Sequence, residues 1–189
     1  MQEEAYELFP ARHALFPLIV IWLFAFMGIL FIGGMTLRSL CGGLFAAVLV
    51  WLSYLDLRDG LLYDVITLPF AVAGLVFSWM DILLPVGNAL IGGTLCGVLF
   101  YCVYIAAHGG LGGGDVKLAA GLGLWLGWEA AVVAIWIAFM LGGIAAVFLL
   151  VTGRRGRRDG IPFGPFLSLG GYIGFVVGAQ IWQLYRGLV

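Results

Sequence analysis

The sequence predicts an all-α polytopic membrane protein, with about six spanning helices plus a short or re-entrant helix after a glycine-rich GGGD stretch. Composition is the first reason. The 189 residues are 63% hydrophobic and 10% charged, whereas soluble domains are about 45–50% apolar and about 25% charged. Segregation of the charges is the second. Charge-free stretches occupy 14–37, 39–55, 65–80, 82–107, 130–153 and 160–185, with a shorter one at 118–128, and crossing a bilayer takes about 17–25 apolar residues. The third is the absence of any stretch whose composition sets it apart, so residues 1–189 read as a single integral-membrane domain without a separate soluble module.

The elements follow in order. The first helix, 14–34, is preceded by Glu3, Glu4 and Glu7 rather than by a basic segment, and it ends in FIGGMTLRSL without a small-x-small cleavage pattern. It therefore reads as a retained helix and not as a removable signal. The second, 40–55, stops at Asp56. The third, 65–80, is slightly short and contains Pro69, so it reaches the interface at one end. The fourth covers 86–107. The segment 115–127 is too short to span comfortably and returns through a turn at Gly127-Trp128-Glu129. Helices at 129–151 and 163–185 complete the chain, with Gly164 and Pro165 as a helix start and close-packing device.

Charge placement supports that turn. If 115–127 dips in and returns, the N-terminus and the loops at 56–64, 108–117 and 152–161 share one face. That face carries Arg12, Arg58, Lys117, Arg154, Arg155, Arg157 and Arg158, leaving Arg38 and Arg186 opposite. The positive-inside rule makes the rich face cytoplasmic, and RRGRR then serves as a cytoplasmic anchor against the lipid bilayer. A formal net charge of −1 gives no reason to expect a nucleic-acid partner. Cys41, Cys96 and Cys102 lack CxxC spacing and read as small apolar helix residues, so no metal site is expected. His108 has no second ligand at a useful spacing.

Carboxylates at the edge of hydrocarbon are costly and tend to mark function. Asp56, in WLSYLDLRDGLLYDVITLPF, and Asp115, in GLGGGDVKLAAG, both fall at helix ends on the face taken as cytoplasmic. Gly112, Gly113 and Gly114 leave room beside Asp115 for a neighbouring helix or an extended substrate. Gly121, Gly123 and Gly127 continue a small-residue face suited to tight helix packing. Asp115 opens a helix, where the dipole favours its charge, and Asp56 closes one, where the dipole disfavours it. Two carboxylates brought within a few ångströms share one proton. One can then take a proton from water while the other polarises a carbonyl.

GGGDVKLAAG resembles the GxGD motif of membrane-embedded aspartyl proteases, in the GxGDxKL form of the type IV prepilin peptidases. LDLRDGLLYDVITLP is similar to that family's first aspartate motif, in which a second Asp follows eight positions after the first. IPFGPFLSLGGYIG, at 161–174, is close to its terminal-helix signature. Together these motifs cover roughly residues 50–175. The resemblance implies a GxGD-type aspartic endopeptidase in the bacterial cytoplasmic (inner) membrane, with Asp56 and Asp115 as the catalytic pair and no cofactor needed for cleavage. Its substrates would be prepilins or pseudopilins, cut after a short basic leader, and its wider partners a pilus or secretion assembly machinery. Many members also methylate the new N-terminus with S-adenosylmethionine. Tyr63 stands where the family commonly has Pro. The segment GGMTLRSLCGG stands where long members carry a tetracysteine zinc-binding insertion linked to methylation, so a peptidase domain without that module is the expectation.

Around the pair, Lys117 is expected to snorkel toward headgroups or to tune the dyad. Asp64 is expected to cap the third helix, or together with Asp59 to attract a basic leader. A proton- or cation-coupled transporter is the rival of a different class, but such proteins place ionisable groups near the midplane and often show internal repeats. A non-enzymatic assembly protein is a further alternative, which would be expected to have lost an aspartate or the glycine run.

Overall fold

The computed structural model describes residues 12–107, 110–153 and 161–188, with side chains from residue 14 onward. Glu3, Glu4, Glu7, His108 and the RRGRR arginines lie outside the described residues, as does the Arg12 side chain. The described residues form helices and connecting turns, with no strand among them. In chain order the helices are α1 (Arg12–Gly33), α2 (Leu37–Asp59), α3 (Asp64–Trp79), α4 (Val86–Ala106), α5 (Gly113–Val151) and α6 (Gly164–Leu188). Five of them are long and apolar enough to cross a membrane, and α3, at 16 residues, is the shorter sixth. The protein is a multi-pass, all-helical membrane protein.

Local chemistry sets the ends. Gly34 stops α1 in a left-handed conformation, φ 67°. Thr36 then caps α2, its hydroxyl accepting from the Ser39 amide at 3.1 Å, one of the donors a helix start leaves unpaired. Gly60, at φ 66°, closes α2 with its N–H donating to the Asp56 carbonyl at 2.9 Å. Asp56 therefore lies inside the last turn of α2 rather than after it. The α3 boundary corrects one expectation: Tyr63 is the cap residue and gives no side-chain cap bond, while Asp64 is the first residue of the helix.

Helix α5 is two limbs, 113–126 and 128–151, separated at Gly127 by φ 71° and ψ 172°. That conformation lies in a region essentially restricted to glycine. Contacts on the two sides show that the chain reverses there. Along the first limb, Gly114 abuts Leu62, Gly121 abuts Phe70, and Trp125 abuts Gly74, so it runs parallel to α3. Along the second, Ala130 meets Gly178, Ala134 meets Gly174 and Ala138 meets Gly170, so it runs antiparallel to α6. Leu122 meets Gly171 and Leu126 faces Gly174, which makes the first limb parallel to α6. The two limbs are therefore antiparallel, as the charge distribution implied. Glu129, just past the turn, lies 3.7 Å from Arg186 near the end of α6. At that same end of the bundle Arg38 sits over the Phe175 ring.

Side chains of four elements meet in an aromatic core. Phe45 of α2 contacts Phe70 of α3, Trp125 of α5 and Phe175 of α6, with centroids 5.0–5.6 Å apart. Trp125 is 1% exposed and lies flush on α3 because Gly74 has no side chain; a Cβ there would come within 2.5 Å of the indole. The indole N–H donates to the Phe70 carbonyl at 2.7 Å, which removes the penalty of about 1–3 kcal/mol for a buried unpaired donor. On the other side of the first limb, Gly123 and Gly92 bring the α5 and α4 backbones into direct contact, the close approach that small residues permit between membrane helices.

That contact leaves no room for a methyl group, since a Cβ on Gly123 would overlap the Gly92 carbonyl. Gly123→Val should therefore destabilise the detergent-solubilised protein by about 1–3 kcal/mol, the usual cost of overpacking, seen as a lowered Tm. Gly143→Ala, where a Cβ meets nothing within 4 Å, should leave Tm unchanged or slightly raised.

Candidate active site

Asp56 and Asp115 come from different helices and meet at one end of the bundle. Asp56 is 5% exposed and Asp115 7%; Asp56 lies in the last turn of α2 and Asp115 in the first turn of α5. Each is held by a backbone amide at the start of a helix. The Gly164 N–H, first in α6, donates to Asp56 Oδ2 at 2.7 Å. The Gly112 N–H, immediately before α5, donates to Asp115 Oδ2 at 3.1 Å, returning from the third residue of its helix as in a capping box. Amides at helix starts have no intrahelical acceptor, so both bonds use donors the fold leaves free. Asp115 Oδ1 is buried and has no hydrogen-bonding partner among the described residues.

The glycines expected to clear space have separate tasks. Gly112 supplies the amide, and a Cβ on it would stand 3.3 Å from Asp115 Oδ2. Gly114 gives its space to Leu62 of the α2–α3 connection, whose Cβ would lie 2.7 Å from an added methyl. Gly113 faces open space, with nothing within 4 Å of an added Cβ. Only this middle glycine leaves the room that the sequence suggested for all of them.

The other expected residues form a rim. Lys117 Nζ lies 2.6 Å from Asp64 Oδ2 and 2.7 Å from Oδ1, an exposed ion pair joining the starts of α3 and α5. Asp59 pairs with Arg58 at 2.7 Å and accepts from the Tyr63 hydroxyl at 3.0 Å. Tyr63 is partly desolvated and faces the Asp59 carboxylate, and both push its phenol above its ordinary value. Asp59 and Asp64 thus each have a cation beside them already. No group of three or more His, Cys, Asp or Glu side chains suited to a metal occurs among the described residues.

Gly164 is the participant that sequence reasoning did not assign to the site. The FGPF stretch announces a helix start, but the acceptor of its free amide lies 108 residues earlier, and no local pattern discloses that. The absence of a side chain matters as much as the amide: a Cβ on Gly164 would sit 2.6 Å from Asp56 Oδ2.

Comparisons with known proteins identify the family. The profile of the type IV leader peptidase family matches residues 43–147. A prepilin leader peptidase/N-methyltransferase of Aeromonas salmonicida (strain A449) is 33% identical over 164 residues, covering 82% of this chain and 56% of the relative. One bearing the same name from Dickeya chrysanthemi is 33% identical over 173 residues, covering 88% and 60%. One from Burkholderia pseudomallei (strain 1026b) is 39% identical over 153 residues, covering 77% and 48%. The chain thus spans about half to three fifths of the length of these curated relatives. No solved structure gives a significant match. The profile match takes in Asp56, the α2–α3 connection and the GGGD segment, over more than half of the sequence, and the chain belongs to the type IV leader peptidase family.

Proposed function

We propose that residues 1–189 act as one membrane-embedded aspartic endopeptidase unit that removes the basic leader from type IV prepilins or pseudopilins, with Asp56 and Asp115 activating water. The observation that carries the reading is the pair itself: two buried carboxylates from different helices, each with one oxygen engaged by a backbone amide. Among the described residues, neither Asp56 nor Asp115 takes part in an ion pair, whereas Asp59 and Asp64 pair with Arg58 and Lys117. A transporter would place such groups near the midplane, whereas these lie at helix ends.

In the proposed reaction the pair holds a single proton. The charged carboxylate takes a proton from water as its oxygen attacks the scissile carbonyl carbon, and the protonated partner gives its proton to the carbonyl oxygen. The resulting gem-diol collapses as a proton passes to the peptide nitrogen. The C–N bond breaks, and the pair returns to its singly protonated state. No covalent bond to the enzyme forms. The amides of Gly164 and Gly112 hold each carboxylate by one oxygen and leave the other directed to the reaction.

On the topology that the charge distribution favours, the pair faces the cytoplasm from the inner membrane, and substrates reach it from the pilus or secretion machinery they supply. The relatives' shared name includes N-methyltransferase. The cavity between α1, α2 and α6 is lined by apolar groups such as Leu18, Phe24, Leu57 and Pro165 and by the hydroxyl-bearing Ser53, Tyr54, Ser168 and Tyr172, with no charged side chain among the described residues. It does not match the charged amino-acid end of S-adenosylmethionine, so no methyl-transfer step is assigned to it.

Cleavage of a co-expressed prepilin, followed by mass spectrometry of the product's N-terminus, tests the reading. Asp56→Asn and Asp115→Asn, compared at matched membrane levels, should each lose about 10²–10⁴-fold or more of wild-type activity, the scale of general acid–base catalysis. Retained cleavage in both variants would remove the aspartates from the chemistry. Lys117→Ala should behave differently. Its ion pair with Asp64 is exposed, worth about 0–1 kcal/mol, so cleavage should fall by no more than about fivefold.

A further inference from the structure

The arginines at the end of the bundle away from the dyad differ in their surroundings. Arg186 lies 3.7 Å from Glu129. Arg38 takes part in no ion pair among the described residues, and its guanidinium carbon sits 5.5 Å from the centroid of the Phe175 ring. An aromatic face holds a guanidinium in place without satisfying its N–H donors. Arg38 is in the first turn of α2 and Asp56 in the last. At about 1.5 Å per residue they stand about 27 Å apart along the helix, close to the hydrocarbon thickness of about 30 Å. Arg38 and the dyad therefore lie at opposite membrane boundaries.

A cavity of about 350 Å³ opens beside Arg38 between α1, α2 and α6, within the range of about 300–1,000 Å³ typical of ligand sites. It is separate from the apolar cavity nearer Asp56, because the Tyr172 hydroxyl crosses from α6 to the Ala25 carbonyl of α1 between the two, at 3.0 Å. Its polar lining is Thr36, Arg38, Ser39 and Gln180, with no Asp or Glu among the described residues. The Thr36 hydroxyl oxygen accepts from the Ser39 amide, and the two hydroxyls lie 2.9 Å apart, so that one donates to the other. The remaining hydroxyl hydrogen has no acceptor among the described residues. The polar side of the cavity thus offers a fixed positive charge and spare donors, which is the complement of an anion. The other side is apolar, formed by Ile29, Ile32, Phe175 and Val176, and a small free anion would leave it unfilled.

We infer that this cavity binds the phosphodiester headgroup of an anionic phospholipid, with Arg38 as its main ligand. The guanidinium fork gives the phosphate two parallel N–H bonds, and the spare hydroxyl hydrogen of the Thr36–Ser39 pair gives a third. An acyl chain follows Ile29, Ile32 and Val176 into the hydrocarbon. A zwitterionic headgroup fits less well, because no carboxylate in the wall receives its ammonium group. Basic pockets between membrane helices recognise anionic headgroups in this way. The bound lipid would join α1 to α2 and α6 at the boundary opposite the dyad and so stabilise the folded bundle. The inference does not depend on the peptidase reading.

The test melts the whole protein in an uncharged detergent against increasing dioleoyl phosphatidylglycerol, dioleoyl phosphatidylcholine or inorganic phosphate. Phosphatidylglycerol should raise the Tm saturably, as a ligand of the folded state does. Arg38→Gln, a change at an exposed side chain, should raise the half-saturating lipid concentration about tenfold or more, the scale of one lost charge-assisted hydrogen-bonding partner. Arg186→Gln, outside the cavity, should leave that concentration unchanged. Native mass spectrometry gives a second reading: one phosphatidylglycerol retained by wild type and by Arg186→Gln, and none by Arg38→Gln. An equal response to phosphatidylcholine overturns the selection of an anionic headgroup. Equal weakening by the two substitutions indicates bulk charge attraction and overturns the site, as does an Arg38→Gln response equal to that of wild type. A shift reproduced in full by inorganic phosphate identifies an adventitious or free anion and overturns the lipid.

Discussion

The bond from the Gly164 amide to Asp56 constrains much of the rest of the structure. A carboxylate withdrawn from water needs hydrogen-bond donors, and a bare buried charge costs several kcal/mol even after relaxation. Membrane helices have few donors to spare, since their backbones are satisfied internally. The free ones lie at helix starts, and both aspartates use them: Asp56 through α6 and Asp115 through the residue before α5. Three helix ends must therefore converge within hydrogen-bonding reach. Gly164 must also remain glycine, because the carboxylate occupies the position a Cβ would take.

The reversal at Gly127 makes that convergence possible. The limb 113–126 is about 21 Å long, well short of a hydrocarbon core of about 30 Å. It rises beside α3, also a short helix, and hands the chain to the full-length limb 128–151 for the return. That return brings α6 to begin at the same end as Asp115. Without the break, a straight α5 would deliver α6 to the opposite end, and Asp56 would lose its donor. The aromatic core of Phe45, Phe70, Trp125 and Phe175 and the glycine contact between α4 and α5 hold this short limb in register.

Much of this was legible in the sequence, because apolar length and charge segregation are one-dimensional properties that a bilayer enforces. The helix ranges, the turn at Gly127 and the placement of Asp56 and Asp115 at one end of the bundle follow from them. The discrepancies have physical causes. The apolar run of α2 stops at Leu55, but helical hydrogen bonding continues through the charged residues to the glycine at 60, so Asp56 is inside the helix. Asp64 looked like a cap from composition, yet its backbone is already helical and its side chain goes to Lys117. The space over Gly114 is filled by Leu62, and Gly164 meets Asp56 only through tertiary packing. Contacts across 50 or 100 residues leave no periodic trace in a single sequence.

The central claim is that the two carboxylates face one another. The most direct measurement pairs Asp56→Cys with Asp115→Cys in a background lacking Cys41, Cys96 and Cys102, and treats membranes with a short bifunctional methanethiosulfonate. Mass spectrometry then identifies the linked peptides. The structure predicts efficient linkage of this pair and none between Asp56→Cys and Asp81→Cys, since Asp81 follows α3 at the other end of the bundle. Failure of the 56–115 pair to link, with both cysteines individually reactive, would contradict the account.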